Sequence, residues 1–407
     1  RFSMARYLDD ANLVILRMHK YNEEYSDIEG KMIQWRPILI HFFKKTKPKF
    51  LQLRFTHHLL LYRFVKLLDE VFKICKVNNI RINVEFVANQ GGLGQGPFLR
   101  EQDVAVEPLE IFHFMNEIEI CRSSDEVFFF SYPKLLTSLT KFSSYDLKDA
   151  TILKLLEITS FTDLKLNLSN NLEIKEALPK IINMTNLKVL YLYDIDANHN
   201  ASLSTKLKSL HYLEYLYLRF RPFFEYEEAF CDKLCENMPS TIKVLELYGS
   251  STRSIDATKI FCHLKSLAYL ERFHFVIGHS KIIRVCLHES SSYYLKSLKH
   301  LIMGSGIDCS SYYSLLTYLN FALIERIEFG KVNINYFQEF ETLFDIMLNF
   351  IRLSQLTITF NVQQKSGLTK DQMHAAIKES KLSKKKNLVL NVVVLENRRV
   401  VCHYLSS

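Results

Sequence analysis

Glycine and proline are scarce: 11 and 8 among 407 residues. Each is less than half of ordinary usage, which excludes collagen-like, linker-rich and low-complexity chains. No CxxC pair occurs among the eight cysteines, Cys75, Cys121, Cys231, Cys235, Cys262, Cys286, Cys309 and Cys402, and a chain of this length needs no disulfide staples. They read as reduced thiols of an intracellular protein, cytoplasmic or nuclear. No apolar run reaches the roughly 18 residues that cross a bilayer. The opening RFSMARYLDD lacks the apolar core and small-residue cleavage site of a signal peptide, so no membrane is expected among the partners. Three Asn-X-Ser/Thr triplets, at Asn167, Asn183 and Asn200, suit a secreted chain, but the unpaired cysteines weigh more heavily on the other side.

What is present is apolar residue in quantity, 48% of the chain, with 24% charged. That composition buries a large core, and the length suits either two or three ordinary domains or one repeat array. Lys and Arg outnumber Asp and Glu by 52 to 44, a formal net charge of +8. The charges are interspersed rather than gathered into arms, so the balance permits nucleic acid without selecting it.

Internal repetition decides between the two architectures. Apolar residues at i, i+3 and i+5 recur as Phe161/Leu164/Leu166, Leu187/Leu190/Leu192, Leu213/Leu216/Leu218, Ile242/Leu245/Leu247, Leu270/Phe273/Phe275, Leu298/Leu301/Met303, Ile324/Ile327/Phe329 and Leu353/Leu356/Ile358, eight copies spaced 26 to 29 residues apart. Positions i+3 and i+5 alternate with polar or aromatic residues, as a short strand with one buried face requires. Between the strands, Ala229 to Met238, Ala257 to Leu267 and Phe337 to Phe350 carry apolar residues at helical spacing. The unit is strand, turn, helix, turn. It cannot bury its apolar face alone, so neighbours must stack into a parallel sheet.

Upstream the pattern loosens. Phe50/Leu53/Phe55 and Met115/Ile118/Ile120 keep the spacing, Ile80 to Val87 and Leu136 to Phe142 read as irregular strands, and Leu59 to Val77 reads as a long apolar helix. Downstream, Leu388 to Leu395 and Val400 to Leu405 flank Glu396-Asn397-Arg398-Arg399, the pattern of a terminal hairpin that caps the last repeat. The expected organisation is an N-terminal helical cap over 1–49 and irregular leading repeats over 50–160, interrupted by a Gly-rich loop at 88–104. Regular repeats over 161–386 and a capping hairpin over 387–407 complete it. Lys378, Lys381, Lys384, Lys385 and Lys386 suit either a nuclear-import or anion-binding patch or a solvated surface.

The L-x-x-L-x-L strands and their period resemble the leucine-rich repeat family at its long, helix-containing end. That resemblance implies an α/β solenoid, a horseshoe with a parallel concave sheet and convex helices. The position after the strand, usually Asn or Cys in the family, is here Ile195, Arg221, Ser250, Gly278, Gly306 and Val332, with only Asn361 conforming. The irregularity is similar to that of fungal F-box substrate adaptors. There a small helical domain docks a ubiquitin-ligase scaffold subunit, and the helical apolar residues leading to Trp35-Arg36-Pro37 occupy the matching place. No Leu-Pro opening of an F-box is present, so what the resemblance implies for 1–49, as the alternative to a helical cap, is a degenerate F-box-like segment.

Catalytic and metal chemistry find no foothold. Asn89 to Pro97 holds four glycines but lacks the Gly-Lys-Ser/Thr ending of a phosphate loop, and reads as a loop inserted between repeats. His57-His58 point to opposite faces of a strand, Cys231 and Cys235 read as one core face of a helix, and Gly304-Ser305-Gly306 lacks the spacing of a nucleophile elbow. The expectation is a non-enzyme without cofactor or metal. Its function should lie in the outward strand columns i+2, i+4 and i+6. There Tyr191, Tyr193, Tyr215, Tyr217, Arg219 and Tyr248 converge on three consecutive repeats, with Arg272 and His274 beside them. A Tyr/Arg cluster has the composition of a protein-binding hot spot, although tyrosine is also an ordinary residue of sheet surfaces. The alternative partner is nucleic acid, held by base stacking and phosphate contacts; Glu246 and Glu328 in the same columns oppose it.

Overall fold

The computed structural model describes residues 2–5, 13–19, most of 33–45, 50–56, 62–78, 81–87, 115–120, 136–144, 153–167, 174–195, 207–220, 234–249 except 235, 255–277, 282–284, 295–334, 336–362, 369–396 and 399–405. The Gly-rich loop, Cys231, Cys235 and Asn200 lie outside them. Two units divide the chain, residues 1–187 and 188–407.

In the first unit, β1 (Phe2–Ala5) runs antiparallel to β2 (Leu13–His19), and β2 begins a parallel series. It continues through β3 (Phe50–Thr56), β4 (Arg81–Val87), β5 (Met115–Ile120), β6 (Lys141–Ser144) and β7 (Asp163–Asn167). The expected helical cap over 1–49 is therefore corrected. Leu13–His19 alternates Leu, Ile, Arg and His with Val, Leu and Met, and pairs in register with β3, Leu13 opposite Phe50. Among the described residues of that segment, helix lies in parts of 33–45, where the Arg36 guanidinium donates to the Glu70 carboxylate. Glu70 belongs to α1 (Tyr62–Val77), which buries Val71, Phe72 and Cys75 at helical spacing. Helix α2 (Ile174–Ile182) follows β7.

The second unit is more regular. Strands β8 (Val189–Ile195), β9 (Tyr215–Phe220), β10 (Val244–Gly249) and β12 (Arg272–Ile277) lie parallel and in register, the short β11 (Ile255–Asp256) preceding β12. The series goes on through β14 (His300–Asp308), β15 (Arg326–Ile334), β16 (Gln355–Val362) and β17 (Val389–Glu396). β11 and β13 (Ile282–Arg284) form a short parallel branch that reaches β14. The terminal β18 (Arg399–Leu405) turns back antiparallel onto β17, with Glu396 opposite Arg399. β17 thus serves twice, as a further parallel rung and as half of the terminal hairpin. All 24 residues at i, i+3 and i+5 of the eight copies are at most 3% exposed. Burying each such side chain contributes about 1.5–3 kcal/mol.

Helices cover that buried face. Phe261 of α3 (Thr258–Leu264) meets Phe273 edge-on at 5.5 Å. Tyr312 of α4 (Cys309–Thr317) meets Phe329 at 4.3 Å, and Phe340 of α5 (Phe337–Leu348) meets Phe360 at 5.3 Å. Helix α6 (Lys370–Glu379) is capped by Thr369, whose hydroxyl accepts the Gln372 N–H while the Gln372 side chain accepts the Thr369 N–H at 2.9 Å.

One periodic feature lies at i+1, outside the apolar pattern. Lys188, Glu214, Lys243, Glu271, Lys299 and Glu325 alternate in charge from copy to copy, and each backbone carbonyl accepts two successive amide protons of the next copy. The chain of paired bonds runs from Lys188 to Gln355. The side chains add Lys243–Glu214 at 2.8 Å and Lys299–Glu271 at 3.1 Å. A slip of one repeat would oppose like charges, so the alternation favours the observed register.

Candidate functional site

Because i+3 and i+5 point inward, i+2, i+4 and i+6 stand on the other face of the same strands. The registers Tyr191↔Tyr217, Glu246↔Tyr217, Tyr248↔Arg219 and Glu246↔His274 place the predicted residues side by side on β8, β9, β10 and β12. The rings touch. Tyr191 stacks on Tyr215 at 4.9 Å and on Tyr217 at 5.2 Å; Tyr193 meets Tyr217 at 5.0 Å, and Tyr217 stacks on Tyr248 at 4.9 Å. Tyr248 meets the His274 ring edge-on at 4.7 Å. Such pairs contribute about 0.5–1.5 kcal/mol each beyond the area they bury.

The centre of the arrangement is Glu246, a residue absent from the predicted site. Tyr215 donates to its Oε1 at 2.6 Å and Tyr248 to its Oε2 at 3.2 Å, while His274 Nδ1 lies 2.6 Å from the Tyr248 hydroxyl and 3.7 Å from Glu246 Oε2. Only 12% of the Glu246 side chain remains exposed. Burial alone would raise this carboxyl; hydrogen bonds and charge from His274, with bonds from Tyr215 and Tyr248, outweigh it and hold it below the ordinary carboxylate range. Burial, reinforced by Glu246, pushes the Tyr215 and Tyr248 phenols up, and burial dominates at Tyr217. These hydroxyls are held protonated, as hydrogen-bond donors. The cluster is half-buried and internally bonded rather than simply solvent-facing. The sequence signal for Glu246 was its place at i+4 among the tyrosines.

Arg219 is exposed and Arg272 partly exposed, and among the described residues neither guanidinium has an ion pair or side-chain hydrogen bond. Toward the later strands the same face is spent on itself. Arg326 donates to Glu328 at 2.8 Å, and His300 lies 3.8 Å from Glu325, with burial and Arg272 holding its imidazole below the ordinary value.

Other sequence features resolve structurally. Gly304-Ser305-Gly306 lies in β14, where the register shifts between Met303 and Gly306. A Cβ on Gly330 would meet the Gly304 carbonyl oxygen at 2.4 Å, so the glycines allow two backbones to approach closely. A second shift, between Phe329 and Val332, moves the post-strand position by one: Val332 is buried, and Asn333 instead faces Asn361, which donates to it at 2.9 Å. The conforming asparagine therefore has a partner that a fixed offset missed. Of the five C-terminal lysines, Lys385 donates to the Phe350 carbonyl, whereas Lys378, Lys381, Lys384 and Lys386 are exposed. Among the described residues no group of His, Cys, Asp and Glu is arranged to hold a metal, and no helix is long and apolar enough to cross a membrane.

Parallel sheets assembled from a repeating strand, with apolar residues buried on one face and an aromatic cluster on the other, fit the repeat pattern of the sequence. No protein-family model matches the chain, and no curated protein matches it. Among solved structures it is similar to one described as the crystal structure of the Rad7 and Elc1 complex in yeast. The identity is 12%, covering 88% of this chain and 77% of that chain, with a TM-score of 0.40. A likeness of that degree carries no argument about function.

Proposed function

We propose that the chain is a non-enzymatic interaction scaffold of the leucine-rich repeat type, which binds a protein partner on the concave, tyrosine-bearing face of its second unit. The observation that carries this reading is the stack of Tyr191, Tyr193, Tyr215, Tyr217 and Tyr248 over three adjacent strands, fixed by one carboxylate. Large rings already held in place lose little entropy on binding, which is why tyrosine and arginine concentrate in hot spots. Presentation of a substrate to a ubiquitin-ligase scaffold is the finer form of the same reading, with residues 1–49 as the docking segment. A reducing intracellular setting belongs to it as well, supported by unpaired Cys75 and Cys262 and by a Cys75 thiol that burial pushes up to about 12.

Affinity capture from cells followed by mass spectrometry tests the proposal, comparing the wild-type chain with Tyr191→Ala/Tyr217→Ala. The expected result is a partner retained by the first and lost by the second; equal recovery overturns it. Nucleic acid as the partner would instead show a steep loss of affinity with added salt, against which the two carboxylates Glu246 and Glu328 on this face already stand.

A further inference from the structure

Resting on that reading, charge on the tyrosine-bearing face narrows the partner further. Among the described residues the acids in the outward columns, Glu246 and Glu328, are satisfied internally, Glu246 by Tyr215, Tyr248 and His274, and Glu328 by Arg326, and Asp194 beside Tyr217 is likewise engaged. The cations are not balanced in the same way. Arg219 and Arg272 keep unpaired guanidinium forks among the described residues, so the charge left for a partner is positive and sits at two points.

Their placement follows from the register. Arg219 on β9 stands level with Tyr248, Arg272 on β12 stands level with Val244, and β10 lies between the two strands. Two strand spacings across and four residues along put the two Cα atoms about 16 Å apart on a diagonal of the sheet. Glu246 lies at the middle of that diagonal, mostly buried with both oxygens hydrogen-bonded, so an anion crossing there meets no open carboxylate. In an extended peptide, residues i and i+4 project from the same face about 13 Å apart, a span that two arginine side chains close by leaning inward.

We propose that the partner segment is an extended acidic peptide lying diagonally across the tyrosine stack, with carboxylates at i and i+4 received by Arg219 and Arg272. Guanidinium suits this role because its fork takes a carboxylate with two parallel hydrogen bonds. Two isolated forks flanking a ring platform define two fixed points, whereas a polynucleotide asks for a continuous cationic track.

The test is selection of a displayed random nonapeptide library on the full-length wild-type chain and on Arg219→Glu/Arg272→Glu. The wild type is expected to enrich Asp or Glu at i and i+4, the charge-reversed chain Lys or Arg at the same spacing. A synthetic peptide from the wild-type pool should lose affinity on the order of tenfold for each acid changed to its amide, and its Lys-substituted form should bind the reversed chain. That exchange separates recognition from damage to the fold. Enrichment of uncharged or basic peptides on the wild type, no enrichment at all, or identical pools from both chains overturns the assignment. So does tighter binding of a twelve-nucleotide oligothymidylate than of the selected peptide. If any of these occurs while Tyr191→Ala/Tyr217→Ala still abolishes partner capture, the acidic assignment fails and the proposed function stands. Capture unaffected by the tyrosine substitutions overturns the proposed function itself.

Discussion

A mostly buried carboxylate must either be paired or give up its charge, and Glu246 is paired three times over. Removing it would take the acceptor from Tyr215 and one of the two partners from Tyr248 in a half-buried setting. Glu246→Ala is therefore expected to cost about 1.5–3 kcal/mol, measured as a fall in the urea midpoint. Its pH dependence has a definite sign. The folded chain holds this carboxyl below its ordinary value, so the stability it contributes is present above the unfolded value and is lost as pH falls through the folded one. Between about pH 6 and pH 3 the midpoint of the wild type should fall more than that of Glu246→Gln; parallel decline would remove the carboxylate from its central role. The glycines give a second contrast at this scale. Gly330→Ala drives a Cβ against the Gly304 backbone, whereas a Cβ on Gly304 meets the Val276 side chain at 2.6 Å. A side chain yields more readily than a strand, so Gly330→Ala should cost about 1–3 kcal/mol and Gly304→Ala less, as read by chemical denaturation.

Among the elements, strands were more legible than helix boundaries. The i, i+3, i+5 pattern located β7, β8, β9, β10, β12, β14, β15 and β16 because each inward side chain repeats one physical requirement, burial against the helices. Counting by fixed offset failed where a bulge changed the count, between Leu192 and Ile195, between Met303 and Gly306, and between Phe329 and Val332. β2 was missed because Leu13–Leu16 is a short continuous apolar run, which periodicity cannot assign to strand or helix. Capping chemistry supplies the element's own prediction. Thr369→Ala removes the hydroxyl that accepts the Gln372 N–H and should destabilise α6 by about 1 kcal/mol, visible as faster amide exchange in 370–379; unchanged exchange would mean the neighbours alone hold that helix. Lys243 and Glu214 offer a softer test. Their side chains are exposed, so exchanging the two charges should matter little beyond a few tenths of a kcal/mol.

At the scale of the molecule, the two units each carry a parallel sheet, and the tyrosine cluster lies wholly in 188–407. Its membership was readable because strand alternation tells which side chains share a face. Its internal bonding was not, since nothing in the spacing of Glu246 announces that two phenols and an imidazole will spend themselves on it. The same bonding explains why the face is organised before any partner arrives. The most direct measurement is the affinity of the purified full chain for its captured protein partner, by calorimetry, for wild type and for Tyr191→Ala/Tyr217→Ala, with Tm recorded for both. The account predicts an affinity loss on the order of a hundredfold with Tm lowered by only about 5 °C. Undiminished affinity in the doubly substituted chain would contradict it.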